Sequence, residues 1–164
     1  FEYVVEHVFK PIHLPPDVLA SRRTRERGIP NNGTAFGGYG MFWTNDAVVK
    51  VAKFLLLEEG KIDGKQILHS DALKSTMQLD LDDRGLDMRF FGFWYNNGTW
   101  AFPAKVLGKR FNCNPWVTTM SGVSGIRVVM MPNGLIFYYF NDAQAFPLAE
   151  QVRAADRVAP FCEG

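Results

Sequence analysis

Residues 125–142 read GIRVVMMPNGLIFYYFND, and this stretch decides the fold. Two runs rich in β-branched and aromatic residues flank Pro132-Asn133-Gly134, which is the composition of a β-hairpin. Both runs are apolar without alternation, so the sheet they belong to is expected to be covered on both faces. The same signals recur upstream. RFFGFWYNNGTWAF (residues 89–102) reads as a hairpin turning at Asn97-Gly98, and PWVTTMSG (residues 115–122) reads as a further strand.

Before this strand-rich half the chain is helical. Thr44 or Asn45 caps a helix carrying Ala47, Val48, Val51, Ala52, Leu55 and Leu56, which stops near Gly60. KIDGK is a turn by its Asp-Gly pair, and Ser70 is expected to cap a shorter helix reaching Met77 or Leu79. SRRTRERGIPNNGTAFGGYG (residues 21–40) and DLDDRGLD (residues 80–87) read as polar surface loops. A closing helix over residues 147–158 presents Leu148, Val152, Ala155 and Ala159, with Pro147 in its first turn. The expected class is α+β: an antiparallel sheet flanked by helices, with residues 1–85 mainly helix and loop and 86–164 strands and closing helix.

At the other end, Phe1, Val4, Val5, Val8, Phe9 and Ile12 recur at helical spacing, opposite Glu2, Glu6 and Lys10. No capping residue precedes this helix, so residues upstream of Phe1 are expected to belong to the same fold. The helix's apolar face and one edge of the sheet should then seek cover from a second polypeptide or a second copy.

Composition narrows the function. The 164 residues are 47% hydrophobic and 14% aromatic, which argues against disorder as the main state. Eighteen Lys and Arg against seventeen Asp and Glu leave a net charge of +1, too little to favour nucleic acid as a partner. Arg22, Arg23, Arg25 and Arg27 form one local basic run, read as a solvated loop or a partner-facing patch. No apolar run has transmembrane length. His7, His13, His69, Cys113 and Cys162 lack metal-ligand spacing, and no cofactor motif is present. The two cysteines are compatible with one disulfide or with two buried thiols.

The sharpest chemical feature is Ser121-Gly122-Val123-Ser124-Gly125, a small hydroxyl and glycines at the end of a strand. Glycines there admit a ligand close to the backbone, and strand-end amides can face a developing oxyanion. A tight, bulged turn would use the same residues.

Three stretches together resemble the serine β-lactamase and penicillin-binding-protein-like hydrolases, in their class C, D-alanyl-D-alanine carboxypeptidase and esterase branch. FEYVVEHVFKPIHLP resembles that branch's xYxxEHIFxPLGM helix. FGGYGMFWTNDAVVKVAKFLLLEEGKIDGKQILHSDALKSTM resembles its GGxxxTxxDxAKFxxxLLxxGxxxGxxILSxxxLxxM segment. MSGVSGIRVVMMPNGLIFYYFND resembles its late active-site strand and hairpin. The resemblance implies the C-terminal part of a β-lactamase/transpeptidase-like fold and acyl-enzyme hydrolysis of an amide or ester, with a small acyl substrate. It also implies a bacterial periplasmic or cell-envelope setting, which would suit a Cys113–Cys162 disulfide.

Carried over by position, Met120-Ser121-Gly122 fills the strand motif that reads KTG or HxG in the family. The resemblance gives Ser121 a hydrogen bond to substrate and the amide of Val123 an oxyanion role. Met120 replaces a lysine or histidine, removing a charge and a proton carrier. No Ser-x-x-Lys occurs, and Tyr95-Asn96-Asn97 spells YxN at the wrong place in the family's order. No catalytic residue is therefore expected within the chain itself. Nucleophile and base would come from an N-terminal part of the same protein, and the chain alone would be inactive. The alternative is a non-catalytic binding or structural module that keeps the fold.

Overall fold

The structure, a computed structural model, describes residues 1–35, 41–104, 111, 113–122, 125–141 and 147–162. Helix α1 (Glu2–Val4) passes directly into a π-helical stretch, Val5–Phe9, where an uninterrupted α-helix was expected. The amides of Lys10 and Leu14 reach back five residues, to the carbonyls of Val5 and Phe9. This wider turn keeps Val5 and Phe9 on one buried side, and the Phe9 ring meets Trp43 edge-on at 5.7 Å.

Helix α2 (Asn45–Leu56) begins where expected: the Thr44 hydroxyl accepts from the amide of Ala47 at 3.2 Å. A small hairpin follows, β1 (Lys61–Ile62) with β2 (Lys65–Gln66), turning through Asp63 and Gly64, both at positive φ. Helix α3 (Ser70–Met77) differs at its start. Ser70 is its first helical residue, His69 takes the cap position, and no side chain caps the end. Gln78 closes the helix in the left-handed region.

The main sheet has six strands in chain order, all antiparallel: β3 (Leu86–Met88), β4 (Phe93–Asn96), β5 (Thr99–Pro103), β6 (Trp116–Gly122), β7 (Ile126–Met130) and β8 (Ile136–Phe140). The Asn97-Gly98 turn has both residues at positive φ, as a two-residue hairpin requires. Strand β3 begins inside the stretch read as a charged loop and ends one residue beyond it, and Arg89–Phe91 forms a 3₁₀ turn where strand was expected. With one apolar side chain at each end around Asp87, β3 carries no strand signal of its own. Pairing with β4 makes it extended.

Both faces of the centre of the sheet are covered. Val117 and Val129 point to helix α4 (Leu148–Val158), packing with Leu148, Val152 and Ala155. Val128 and Met130, one residue out of phase, point to the opposite side, where they meet α2 and α3. That explains the unalternating apolar sequence of β7. Asn133, in the hairpin turn, donates through Nδ2 to the carbonyls of Ala155 and Ala159 and so holds the end of α4. A disulfide joins Cys113, ahead of β6, to Cys162, just beyond α4.

The remaining apolar cluster lies under α2, where Val5, Phe9, Leu14 and Val18 pack on Ala47 and Val51. The face of the first helix is thus partly covered within the chain, although Tyr3 and Val4 are exposed. Among the described residues no helix is long and apolar enough to cross a membrane.

Candidate functional site

Strand β6 carries the site, and its alternation divides the expected residues between two faces. Met120 turns toward α2 and α3. It is half-buried against Val48, Ala52 and Val128 on one side and Leu73, Met77 and Met130 on the other. Ser121 turns the opposite way, toward the α4 face. Gly122 ends the strand, exposed, beside Ile126. The amide of Val123, expected as an oxyanion donor, lies outside the described residues, as does Ser124.

The ladders on the two sides of β6 end at different places. Strand β5 pairs only as far as Met120, opposite Thr99, whereas β7 pairs on to Ser121 and Gly122. Ser121 and Gly122 therefore extend past the β4–β5 turn, and among the described residues no strand pairs with their β5-side edge. A strand end with one edge unoccupied offers backbone donors and acceptors to an extended ligand.

The register places Arg127 directly opposite Ser121, and its Nε donates to Ser121 Oγ at 2.9 Å. Arg127 is only 7% exposed, and its guanidinium lies 5.6 Å from the Trp100 ring centre. Burial draws its pKa below the ordinary arginine value, and Tyr139, opposite it on β8, draws it back by charge and hydrogen bonding. Burial raises the Tyr139 phenol, opposed by the charge of Arg127 and by hydrogen bonds with Gln151 of α4 and with Arg127. Ser121, Arg127 and Tyr139 thus stand side by side across three strands, on the face that α4 covers. A guanidinium can only donate, so Ser121 accepts from it and its own hydroxyl hydrogen is directed elsewhere. The arrangement makes Ser121 a charge-assisted donor. Among the described residues it supplies no group placed to take the serine's proton.

Arg127 and Tyr139 were not singled out from the sequence. Counting back across the turn from Gly122 opposite Ile126 sets Arg127 against Ser121, so the signal lies in the hairpin register. Gly125 proves to serve the fold. At φ +81° its carbonyl accepts from the amide of Asn141 at 3.0 Å, and a Cβ on it would lie 1.7 Å from the Asn141 oxygen. The YxN look-alike is also structural: Asn96 donates to the Ser75 carbonyl at 2.8 Å, and Asn97 donates to Thr76 Oγ1 at 3.1 Å.

At the other end of β6 a cleft of about 740 Å³ opens between α3, residues 79–84 and the start of β6. Arg84 fills part of it, its guanidinium 3.4 Å from the Trp116 ring centre, with Nη2 donating to the Leu79 carbonyl. Burial pulls Arg84 down to about 10, against the opposing charges of Asp80 and Asp83. Among the described residues no three His, Cys, Asp or Glu side chains gather as a metal site. His7 instead lies 4.2 Å from the Tyr3 ring. The chain matches no protein-family model, no curated protein and no solved structure.

Proposed function

We propose that this chain forms one wall of the substrate cleft in a serine hydrolase related to the β-lactamases and penicillin-binding proteins. In this reading β6 lies along an acyl substrate, and nucleophile and base come from residues N-terminal to the chain. The observation that carries it is Ser121 at the end of β6, where among the described residues no strand occupies the β5-side edge, with the Arg127 guanidinium behind it. Met120 brings no charge on its own face of β6, and Arg127 supplies a positive one on the opposite face, where through Ser121 it favours a carboxylate or a polarised carbonyl oxygen. The wall binds and orients, while proton transfer belongs to groups elsewhere.

Two further features support the reading. Strand β8 is an edge of five apolar residues, Ile136–Phe140, fit to pair with a strand from the N-terminal part. The disulfide suits an oxidising compartment such as the periplasm.

The test is covalent labelling of the full-length protein with a fluorophosphonate and with a penicillin probe. Labelling is expected at a serine N-terminal to Phe1, and Ser121→Ala should lower kcat/KM roughly 10- to 100-fold while the same serine is still labelled. Met120, packed among apolar side chains where the family places a cation, favours a second reading, a ligand-binding module without turnover. A carboxylate ligand that binds with Ser121 dependence, in a protein no probe labels, would select that second reading and sink the first.

A further inference from the structure

We propose that the β3 edge of the sheet is a docking surface for the arginine ribbon of a second copy of this chain. Strand β3 is the sheet's outermost strand on the side away from β8. Around it large apolar side chains stand in solvent: Leu81 is 74% exposed, Leu86 66% and Phe90 94%, with Phe91 meeting Phe90 edge-on. So much exposed apolar area beside a strand edge that no strand pairs among the described residues marks a contact surface.

Charge decides the occupant. Residues 80–89, which run through β3, hold four aspartates and two arginines, net −2, which disfavours an anionic lipid surface and equally a symmetric β3-to-β3 contact. Residues 22–27 hold four arginines and one glutamate, net +3. In the structure they are not a shapeless loop. Bridges Arg23↔Ala35 and Glu26↔Ile29 form a short ribbon turning at Arg27-Gly28, both at positive φ. Asn31 and Asn32 stiffen it, accepting from the amides of Arg23 and Glu26 at 2.6 and 2.9 Å. Arg23 pairs with Glu2, while Arg22, Arg25 and Arg27 are exposed and make no ion pair among the described residues. Exposed Ile29 and Phe42 add apolar surface beside them, with Arg22 5.1 Å from the Phe42 ring centre. One molecule thus carries both halves of a complementary pair. Ribbon and edge are different surfaces, so the contact is head-to-tail and leaves one of each unused at the ends of an assembly.

The experiment is sedimentation velocity of the chain over a concentration series, at about 0.01 M and again at about 1 M salt, where the screening length falls from ~30 to ~3 Å. Reversible association at low salt, lost at high salt, is expected. Arg25→Glu with Arg27→Glu, or Asp80→Lys with Asp82→Lys, should each weaken it about tenfold or more, and Phe90→Ser should weaken it without changing its salt dependence. All five positions are on the surface, so the variants are expected to keep the wild-type circular dichroism. Mixing the two charge-reversed proteins should restore association, because the reversed ribbon of one is opposite in charge to the reversed edge of the other, and the intact edge still meets the intact ribbon. A monomer at every low-salt concentration, or association that survives both reversals, overturns the proposal.

Discussion

Helices α3 and α4 lie on opposite faces of one sheet and are held there by different means. Helix α4 packs on the sheet mainly by apolar contact, with Leu148, Val152 and Ala155 on Val117, Val129 and Met131, while Asn133 ties its last carbonyls and the disulfide fastens the chain just beyond it. The end of α3 is tied by polar side chains. Gln78, fully buried, donates from Nε2 to the Thr99 hydroxyl and carbonyl and accepts from the amide of Gly85. Thr118 of β6 donates to the Met77 carbonyl, and Thr99 donates to that of Thr76. Apolar burial tolerates small shifts, whereas buried hydrogen bonds fix a position and are costly to leave unmade. The comparison teaches that the α3 face is built for placement and the α4 face for adhesion.

The largest effect should come from the adhesive side. Replacing Cys113 and Cys162 by serine releases a linkage 49 residues apart and should cost about 4 kcal/mol by loop-closure entropy, read in urea unfolding. Amide exchange should then speed up in α4 more than in α3, and equal acceleration would erase the distinction. Next, Gln78→Ala strips a buried donor and acceptor from the polar side. A loss of about 2 kcal/mol is expected, with exchange rising at the end of α3 and in β5 while α4 is unaffected.

The smallest effect concerns Tyr139, which joins the α4 face to Ser121 through Arg127. Its folded pKa is raised, so its stabilising contribution is complete below the unfolded value near 10 and is lost as pH rises through the folded value. Tyr139→Phe should therefore flatten the fall in unfolding free energy above about pH 10, as far as that residue contributes. Arg84, lowered by burial to about 10, acts with opposite sign, since there the unfolded state holds the extra proton. An unchanged slope in the Tyr139 variant would show that its environment does not differ between folded and unfolded states.

The two faces also differ in how much of them can be read from sequence. The β7–β8 hairpin, the Asn97-Gly98 turn and the Thr44 cap are local patterns, and each element stands where its residues predict. The tethers at Gln78, Asn96 and Thr118 join residues 21 to 41 positions apart, which no local pattern encodes. Strand β3 was missed for the same reason, because its extended state comes from β4. In the candidate site, the open strand end at Ser121 and Gly122 was legible, but the cation was not. Arg127 reads as an ordinary polar residue until the register sets it opposite Ser121.

The length by which β6 outruns β5 has a consequence for size. Two residues of strand span about 7 Å, room for a single residue's worth of main-chain pairing. A ligand seated along this ledge would be gripped over one peptide-like unit, and whatever extends beyond it must be recognised by side chains or left in water. In the proposed reading, a ledge of this length among the described residues would suit short ligands, and lengthening one along it should add little affinity.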